Sequence, residues 1–259
     1  NMFRGCTSLT TVPELPATTL AESCYSYMFY GCTGLINASD LPAATLTKNC
    51  YSYMFQGCSS LSSAPQLSAA ILAENCCYYM FRDCTSLTTA PELPATALAK
   101  SCYEYMFYGC SSLTTAPVLS ATTLASNCCT SMFRNCISLT TAPALPATTL
   151  EPYCYTYMFR GCTSLVTAPE LQAEALANYC YSDMFSGCTS LVNAPVLPAT
   201  TLVLSCYRWM FKGCTSLENI TMLATDISAD YCLDEWVDGV AATGTFTKAA
   251  SATIPNGVD

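Results

Sequence analysis

The 259-residue chain contains no histidine and few charged side chains. Histidine is the side chain that most often acts as a general base near neutral pH, so its absence removes a common catalyst and a common zinc ligand. Lysine and arginine number 9 against 18 acidic residues, which gives a formal net charge of −9. Proteins that bind nucleic acid carry basic stripes, so this balance argues against nucleic acid as a partner.

Long apolar runs are also missing, although 52% of the residues are hydrophobic. No run approaches the roughly 18 residues of a membrane span, so we expect none in this fragment. A basic signal-peptide region is absent as well. The chain begins at Asn1 in the middle of a repeat and ends at Asp259 just after an IPNG turn signal. We therefore interpret it as a fragment of a longer protein.

What the sequence does contain is a strict internal repeat. Met-Phe recurs every 26 residues from Met2 to Met210, and the consensus unit reads MFxGCTSLTTAPxLPATTLAxxCYxY. A fixed period of this length is typical of a solenoid, in which each unit buries its apolar face against its neighbours. We predict nine such units over residues 1–235, then a degenerate unit around Trp236 and a C-terminal β-like cap within residues 236–259.

Columns of equivalent residues predict a buried core and a short strand in each unit. The leucine of the TSL segment is invariant from Leu9 to Leu217, and that of the PxLP segment runs from Leu15 to Leu223. The leucine of the ATTL segment fails only at Ser228. The β-prone segment SLTTA precedes a proline column, and proline cannot donate to a ladder. We therefore predict short strands that end near the proline.

The segment LAxxCYxYMF predicts a short helix. Leu20, Cys24, Tyr27 and Met28 fall on one face at helical spacing, whereas Phe29 falls off that face. The column at Gly31 holds only Gly, Asn and Asp, the residues that tolerate positive φ. We expect these residues to cap the helix in the left-handed conformation.

The motif F-x-G-C-[ST]-S-L, seen as FRGCTSL at Phe3 and FYGCSSL at Phe107, resembles the BspA-like leucine-rich repeat of surface proteins from gut Bacteroidetes and some mucosal parasites. The unit departs from the usual one in an added Pro-rich part and in a cysteine at an aliphatic position. The resemblance implies an α/β solenoid, a right-handed superhelix with short parallel strands on one face and short helices on the other. It also implies an extracellular or cell-surface protein that adheres to a host or extracellular-matrix protein or glycan, without catalytic residues or a cofactor.

The 20 cysteines fall into two columns, Cys6 to Cys214 and Cys24 to Cys232, with Cys77 and Cys129 in place of tyrosines. Two interpretations stay open. The columns form two ladders of buried thiols, or each unit holds one disulfide, such as Cys6 to Cys24 across the core. Zinc is disfavoured because the sequence has no CxxC pair and no histidine.

Ligand-binding residues are predicted on the sheet face, where variable columns lie on a fixed frame. A row of hydroxyl and amide side chains is flanked there by a row of acids. The other interpretation is that these side chains are solvated and bind no ligand. A tyrosine stripe on the helix side is the alternative face, although packing between units is another role for those rings. The sheet-face residues are Thr11, Asn37, Ser63, Thr89, Thr115, Thr141, Thr167, Asn193, Glu14, Asp40, Glu92 and Glu170; the alternative stripe is Tyr25, Tyr51, Tyr103, Tyr155, Tyr181 and Tyr207.

No singular catalytic constellation breaks the repeat, so we predict that the chain is not an enzyme. Five acids near the C-terminal end, Asp226, Asp230, Asp234, Glu235 and Asp238, suggest calcium ligands, but the D-x-D-x-D-G loop is missing and solvated acids are the preferred interpretation. Two functions remain: adhesion to a protein or glycan, or a structural spacer that presents another domain without a ligand of its own.

Overall fold

A computed structural model of the chain describes residues 2–250. Successive units stack so that equivalent backbone groups hydrogen-bond to one another. Parallel bridges join residues of neighbouring units in three columns, exemplified by Thr89 with Thr115, Leu93 with Leu119, and Ala97 with Thr123. The predicted repeat solenoid with parallel pairing is confirmed.

Regular strands are fewer than predicted. Strand β1, Asn219–Met222, pairs in parallel with strand β2, Thr245–Lys248, in a two-stranded sheet. Elsewhere in the described residues the pairing is limited to isolated bridges. The proline column explains the difference: Pro117 follows the bridging Thr115 by two residues and cannot donate to a neighbour, whereas neither β1 nor β2 contains proline.

The predicted helices are wrong, because residues 2–250 contain no helix, and therefore none that could cross a membrane. The segment expected to be helical is a chain of overlapping turns with alternating donors. The Met28 N–H donates to the carbonyl of Tyr25 at 3.1 Å, and the next one, Phe29 N–H, donates to Met54 of the following unit at 2.9 Å. Over this stretch the donors to the next unit are Ser23, Tyr25, Tyr27, Phe29 and Gly31.

Left-handed residues recur at every fourth position of this turn segment. The angle φ is +57° at Ser23, +56° at Tyr27 and +69° at Gly31. For non-glycine residues this conformation costs roughly 1–2 kcal/mol each, which packing and the bonds between units must offset. The positive φ predicted for the glycine column is confirmed, also at Asp83 (+58°) and Asn135 (+61°), although the column caps no helix.

Pairs of core residues follow the first two left-handed positions of the turn segment. Cys-Tyr at 50–51 and Met-Phe at 54–55 are buried, and the preceding residues 49 and 53 are left-handed. Phe29, expected off the buried face, is fully buried. Phenylalanine rings stack from Phe3 to Phe211 with centroids 5.4–5.7 Å apart and interplanar angles of 10° or less. This column forms the centre of the core.

The last unit is one residue short on its bridged side, and this corrects the predicted core. Met222 pairs with Leu197 and is fully buried, whereas Leu223, expected in the core, is 42% exposed. Ile227 packs against the core next to Ser228, where the leucine column was expected to fail. The Ser228 N–H and hydroxyl both donate to Asp226 Oδ1, at 3.1 and 2.7 Å, in a local turn.

The C-terminal segment reaches over the end of the core. The β-structure expected in this segment is present as β2, and Phe246 contacts the buried Trp236 edge-on at a centroid distance of 5.6 Å. An apolar pocket of about 230 Å³ remains between them, lined also by Leu217 and Ile220. Residues 251–259 of the predicted cap lie outside the described residues.

The shifted register reverses the sequence-based expectation of which residue, Met222 or Leu223, stabilises the core. Met222→Ala should lower the free energy of unfolding by about 2–5 kcal/mol, because it leaves a cavity in the core. Leu223→Ala, at an exposed position, should change it by less than about 0.5 kcal/mol. Denaturant unfolding of the two variants beside the parent measures both changes. Equal losses would contradict the register.

Candidate functional site

The predicted polar row lies on the side of the solenoid where the parallel bridges form, which we call the bridged face. All eight members, Thr11 to Asn193, are exposed, and each takes part in a parallel bridge. Since the bridges fix the backbone, the side chains of successive units stand side by side in one line. Asn219 extends the row, and its Nδ2 donates to Asn193 Oδ1 at 2.9 Å. That this row binds a ligand remains a prediction.

The predicted acidic row lies beside the polar row, at the proline corner. Glu14, Asp40, Glu92 and Glu170 are all exposed. A pocket of about 310 Å³ includes Glu14 and Asp40, and an equivalent pocket of about 250 Å³ includes Glu92. The Asp40 carboxylate also accepts a hydrogen bond from the Gln66 N–H at 2.9 Å. The corner therefore forms recurring shallow pockets with acidic rims.

The alternative aromatic face is wrong, because these tyrosines belong to the core. Tyr25 is half-buried, and the other five are 0–2% exposed, namely Tyr51, Tyr103, Tyr155, Tyr181 and Tyr207. Their rings stack between units, as for Tyr155 and Tyr181 at 6.0 Å. Burial raises the pKa of Tyr51 and Tyr207. Packing between units, the other role considered for these rings, is confirmed.

A different aromatic column lies at the surface, and sequence reasoning missed it. It contains the left-handed residue that precedes Met-Phe in each unit, and we call this side of the solenoid the turn face. Tyr27 was assigned to a buried helix face, but it is half-buried and stacks on Tyr53 at 4.4 Å. A signal was available, since the column also holds the polar residues Ser131, Asp183 and Glu235, although the first two are buried in the structure. Its aromatic members are Tyr27, Tyr53, Tyr79, Tyr105, Tyr157 and Trp209.

Most of the positive charge lies on the turn face. Six of the nine lysines and arginines contact its aromatic rings, with cation-to-centroid distances of 3.8–5.8 Å. Such contacts contribute roughly 0.5–1 kcal/mol at exposed sites. These cations are Arg4, Arg82, Arg134, Arg160, Arg208 and Lys212.

Asp183 is a buried carboxylate in the aromatic column of the turn face. Its side chain is 2% exposed, and Oδ1 accepts a hydrogen bond from Arg160 Nη1 at 2.8 Å, whereas Oδ2 has no partner. Burial raises the pKa of Asp183 to about 6, against the opposing effect of Arg160 and of the more distant Arg134 and Arg208. The raised pKa favours a protonated Asp183 under mildly acidic conditions.

Three of the five acids considered as calcium ligands serve instead as counter-ions. Asp234 pairs with Arg208 at 2.9 Å, and Asp238 pairs with Lys212 at 3.1 Å. Glu235 also bonds Lys212. Within residues 2–250, no group of three or more potential ligands is arranged to hold a metal ion. The calcium interpretation is not supported.

All 20 cysteines are free thiols, and only Cys6 and Cys24 are exposed. In the column after glycine, each thiol from Cys32 to Cys214 donates to a phenylalanine carbonyl of the preceding unit, as Cys84 Sγ does to Phe55 at 3.1 Å. Burial raises the pKa of Cys50 and Cys58 to about 12. The interpretation as ladders of buried thiols is confirmed, and the thiolate form needed for nucleophilic or redox chemistry is suppressed.

Thiol labelling tests this arrangement. In the native protein a maleimide should modify Cys6 and Cys24 alone, because a buried thiol is neither accessible nor ionised. Denaturation should expose all 20. Peptide mass spectrometry locates the adducts, with Cys6→Ser/Cys24→Ser as the control. Native labelling of Cys84 would contradict the structure.

The buried carboxylate predicts a pH dependence of stability. Between pH 3.8 and about 6 the native state holds a proton on Asp183 that the unfolded chain has lost. The free energy of unfolding should therefore fall as pH rises through this window, by up to about 3 kcal/mol.

Urea unfolding across this window, for the parent and Asp183→Asn, measures the effect. The variant should lack this part of the slope, while the exposed-site control Asp40→Asn should keep it. An unchanged slope in Asp183→Asn would refute the assignment.

Comparison with known proteins identifies the family. The model of the BspA type leucine-rich repeat region matches residues 1–89, 63–166 and 133–233. Two crystal structures are similar: a leucine-rich repeat protein from Bacteroides ovatus (14% identity, 92% of this chain and 67% of that one, TM-score 0.39) and a leucine rich cell surface protein from Faecalibacterium prausnitzii (17% identity, 87% and 76%, TM-score 0.37). No curated protein matches. Because the family model covers most of the sequence, the chain belongs to the BspA-type leucine-rich repeat family.

Proposed function

We propose that the chain is an extracellular, surface-attached or secreted module that adheres to a host or extracellular-matrix protein or glycan through its bridged face. The observation that carries this proposal is the polar row from Thr11 to Asn193. Its side chains are exposed in every unit, while the bridges that hold the row are made by the backbone. The row is therefore free to vary without loss of the fold, which is the property a recognition surface needs.

The chemistry of the row suits an extended ligand. Hydroxyl and amide groups both donate and accept hydrogen bonds. Parallel pairing spaces them at about 4.8 Å along the solenoid, so a polysaccharide or an extended polypeptide can engage several units at once. Amides at Asn37 and Asn193 lie on either side of a run of hydroxyls, so the two ends of the row differ chemically from its middle.

Apolar side chains lie next to the polar row and add contact area. Ile36, Val166 and Val192 immediately precede row members and are 47%, 55% and 37% exposed. At the corner, Val118 is 74% exposed beside a pocket. Interfaces combine apolar contacts with a polar surround, and this face offers both together with the acidic rims.

Binding is a better-supported class of function than catalysis. The strongest potential nucleophiles are thiols, and burial raises the pKa of those such as Cys58 well above neutrality. The hydroxyls of the row recur by position, without a neighbouring base that would activate one of them. The sequence has no histidine to supply that base.

Matched charge substitutions test the bridged face. The triple variant Asn37→Lys/Thr89→Lys/Thr141→Lys should lower affinity for a captured ligand at least tenfold, because each lysine places a bulky charge in the row. Binding is measured on immobilised matrix proteins and mucosal glycans. The unfolding midpoint of the variant should match that of the parent, since all three side chains are exposed.

The control for this test carries three lysines at exposed threonines of another column, Thr96, Thr122 and Thr148. It should bind like the parent protein. If both triple variants bind equally well, the bridged face is not the binding surface.

The alternative function, a spacer that presents another domain, is favoured by the uninterrupted phenylalanine stack from Phe3 to Phe211. In a continuous core each unit packs against both neighbours, which is the arrangement that a stiff stalk requires. A folded protein that retains no partner on the array would support the spacer and not the adhesin.

A further inference from the structure

The aromatic column of the turn face is interrupted at Ser131. Tyrosines stack in succession up to Tyr105, where the last contact, with Tyr79, has a centroid distance of 4.4 Å. The next unit has Ser131 in place of a ring, and Tyr157 follows one unit later. The interruption therefore separates the half-buried Tyr105 and Tyr157 by one unit, which has the fully buried Ser131 in place of a ring.

Arg134 occupies this interruption without a counter-ion. Its guanidinium carbon lies 5.5 Å from the ring centres of both Tyr108 and Tyr157. No carboxylate of residues 2–250 lies within ion-pair distance of it, unlike Arg160 in the next unit, which pairs with Asp183 at 2.8 Å. An unpaired guanidinium in a protein with a net charge of −9 is the feature to be explained.

Two buried donors at the same turn also lack partners. The Arg134 N–H donates to the Ser131 carbonyl at 3.2 Å, so the two residues close one turn. Within it, Ser131 Oγ and Arg134 Nε are buried and make no hydrogen bond. Buried donors are normally satisfied, so this turn carries unused hydrogen-bonding capacity beside an unused charge.

A second guanidinium also contacts this tyrosine ring. Arg160, like Arg134, is 5.5 Å from the centre of Tyr157. Among units, this is the one place where arginines occupy the same column in succession, since the column reads Arg4, Tyr30, Gln56, Arg82, Tyr108, Arg134, Arg160, Ser186, Lys212 and Asp238. With Asp183 compensating one of the pair, the site keeps an uncompensated positive charge.

The backbone here leaves little for a peptide strand to bind. The Ser131 N–H donates to Thr156 at 2.8 Å and the Phe133 N–H to Met158 at 2.9 Å, both in the next unit. A peptide that adds a strand depends on free main-chain groups. Recognition at this turn must therefore use side chains: the guanidinium of Arg134 and the half-buried tyrosine rings.

We propose that Ser131, Arg134, Tyr105, Tyr108 and Tyr157 form a binding site for an acidic saccharide, a sugar that carries a carboxylate or a sulfate. The guanidinium of Arg134 takes the anionic group in a bidentate pair. The tyrosine rings pack against the C–H face of the sugar, since the face of an aromatic ring is electron-rich. The site is independent of the polar row on the bridged face.

Equilibrium titration of the complete chain with four small probes tests the proposal. Glucuronic acid and glucose 6-sulfate distinguish the two sources of charge, glucose lacks the charge, and glutarate lacks the sugar. At least one acidic sugar should bind, and glucose and glutarate should bind at least tenfold more weakly. Ligand-observed NMR detects affinities down to the millimolar range, about −4 kcal/mol.

The variant Ser131→Tyr is the sharpest structural probe of the site. It restores the ring that the column holds at Tyr27, Tyr53, Tyr79, Tyr105 and Tyr157, all at positive φ, as Ser131 is. It should fold with at least the stability of the parent protein and should reduce acidic-sugar binding at least tenfold. Arg134→Lys, which keeps the charge and loses the fork, should weaken binding as well.

Arg4→Gln is the matched control, because Arg4 also lies over two tyrosines of the turn face but in another unit. It should bind like the parent. Absence of binding by both acidic sugars, equal binding of glutarate or glucose, or undiminished binding by folded Ser131→Tyr would each overturn the proposal. Equal binding of glutarate would assign the site to acidic groups in general, including those of a peptide.

Discussion

The alternation of backbone donors in the turn segment is the constraint on which the rest of the structure depends. Every second N–H bonds within its own unit, and those between bond to the next unit, as Met28 and Phe29 show. A single inserted residue would exchange the two sets, so that N–H groups beyond it would no longer point toward their present acceptors. This explains why Met-Phe keeps a 26-residue interval from Met2 to Met210. The one local irregularity, at Met222, lies on the bridged side and is absorbed before Cys232.

The cysteines follow from this backbone. A column residue there must be small, apolar and able to donate, because the Phe29 carbonyl accepts both the Cys32 N–H and the Cys58 thiol, each at 3.1 Å. Cysteine meets all three needs. Exchange and oxidation proceed through the thiolate, which burial disfavours at these positions, as it does for Cys58. A chain rich in thiols can therefore remain free of disulfides without becoming reactive.

The two exposed faces differ in how they could carry function. On the bridged face the units repeat hydroxyl and amide side chains in register. Any specificity there therefore comes from the number of units in the row and from substitutions at particular units. The turn face instead contains singular residues, above all Ser131 and Asp183, each of which interrupts the aromatic column. In a repeat protein such interruptions stand out, because the neighbouring units show what the fold alone requires.

By itself the sequence determined the period, the stacked solenoid, the invariant TSL leucines, the positive φ at Gly31 and the exposed polar row, since all of these follow from residue type at a fixed spacing. It did not determine the turn segment. Cys24, Tyr27 and Met28 have the spacing of a helix. A tyrosine, unlike a glycine, does not indicate a left-handed backbone conformation. Only the tertiary structure decided which tyrosine points inward and where Met222 replaces Leu223. Both depend on hydrogen bonds to the neighbouring unit, and a pattern read within one unit cannot contain them.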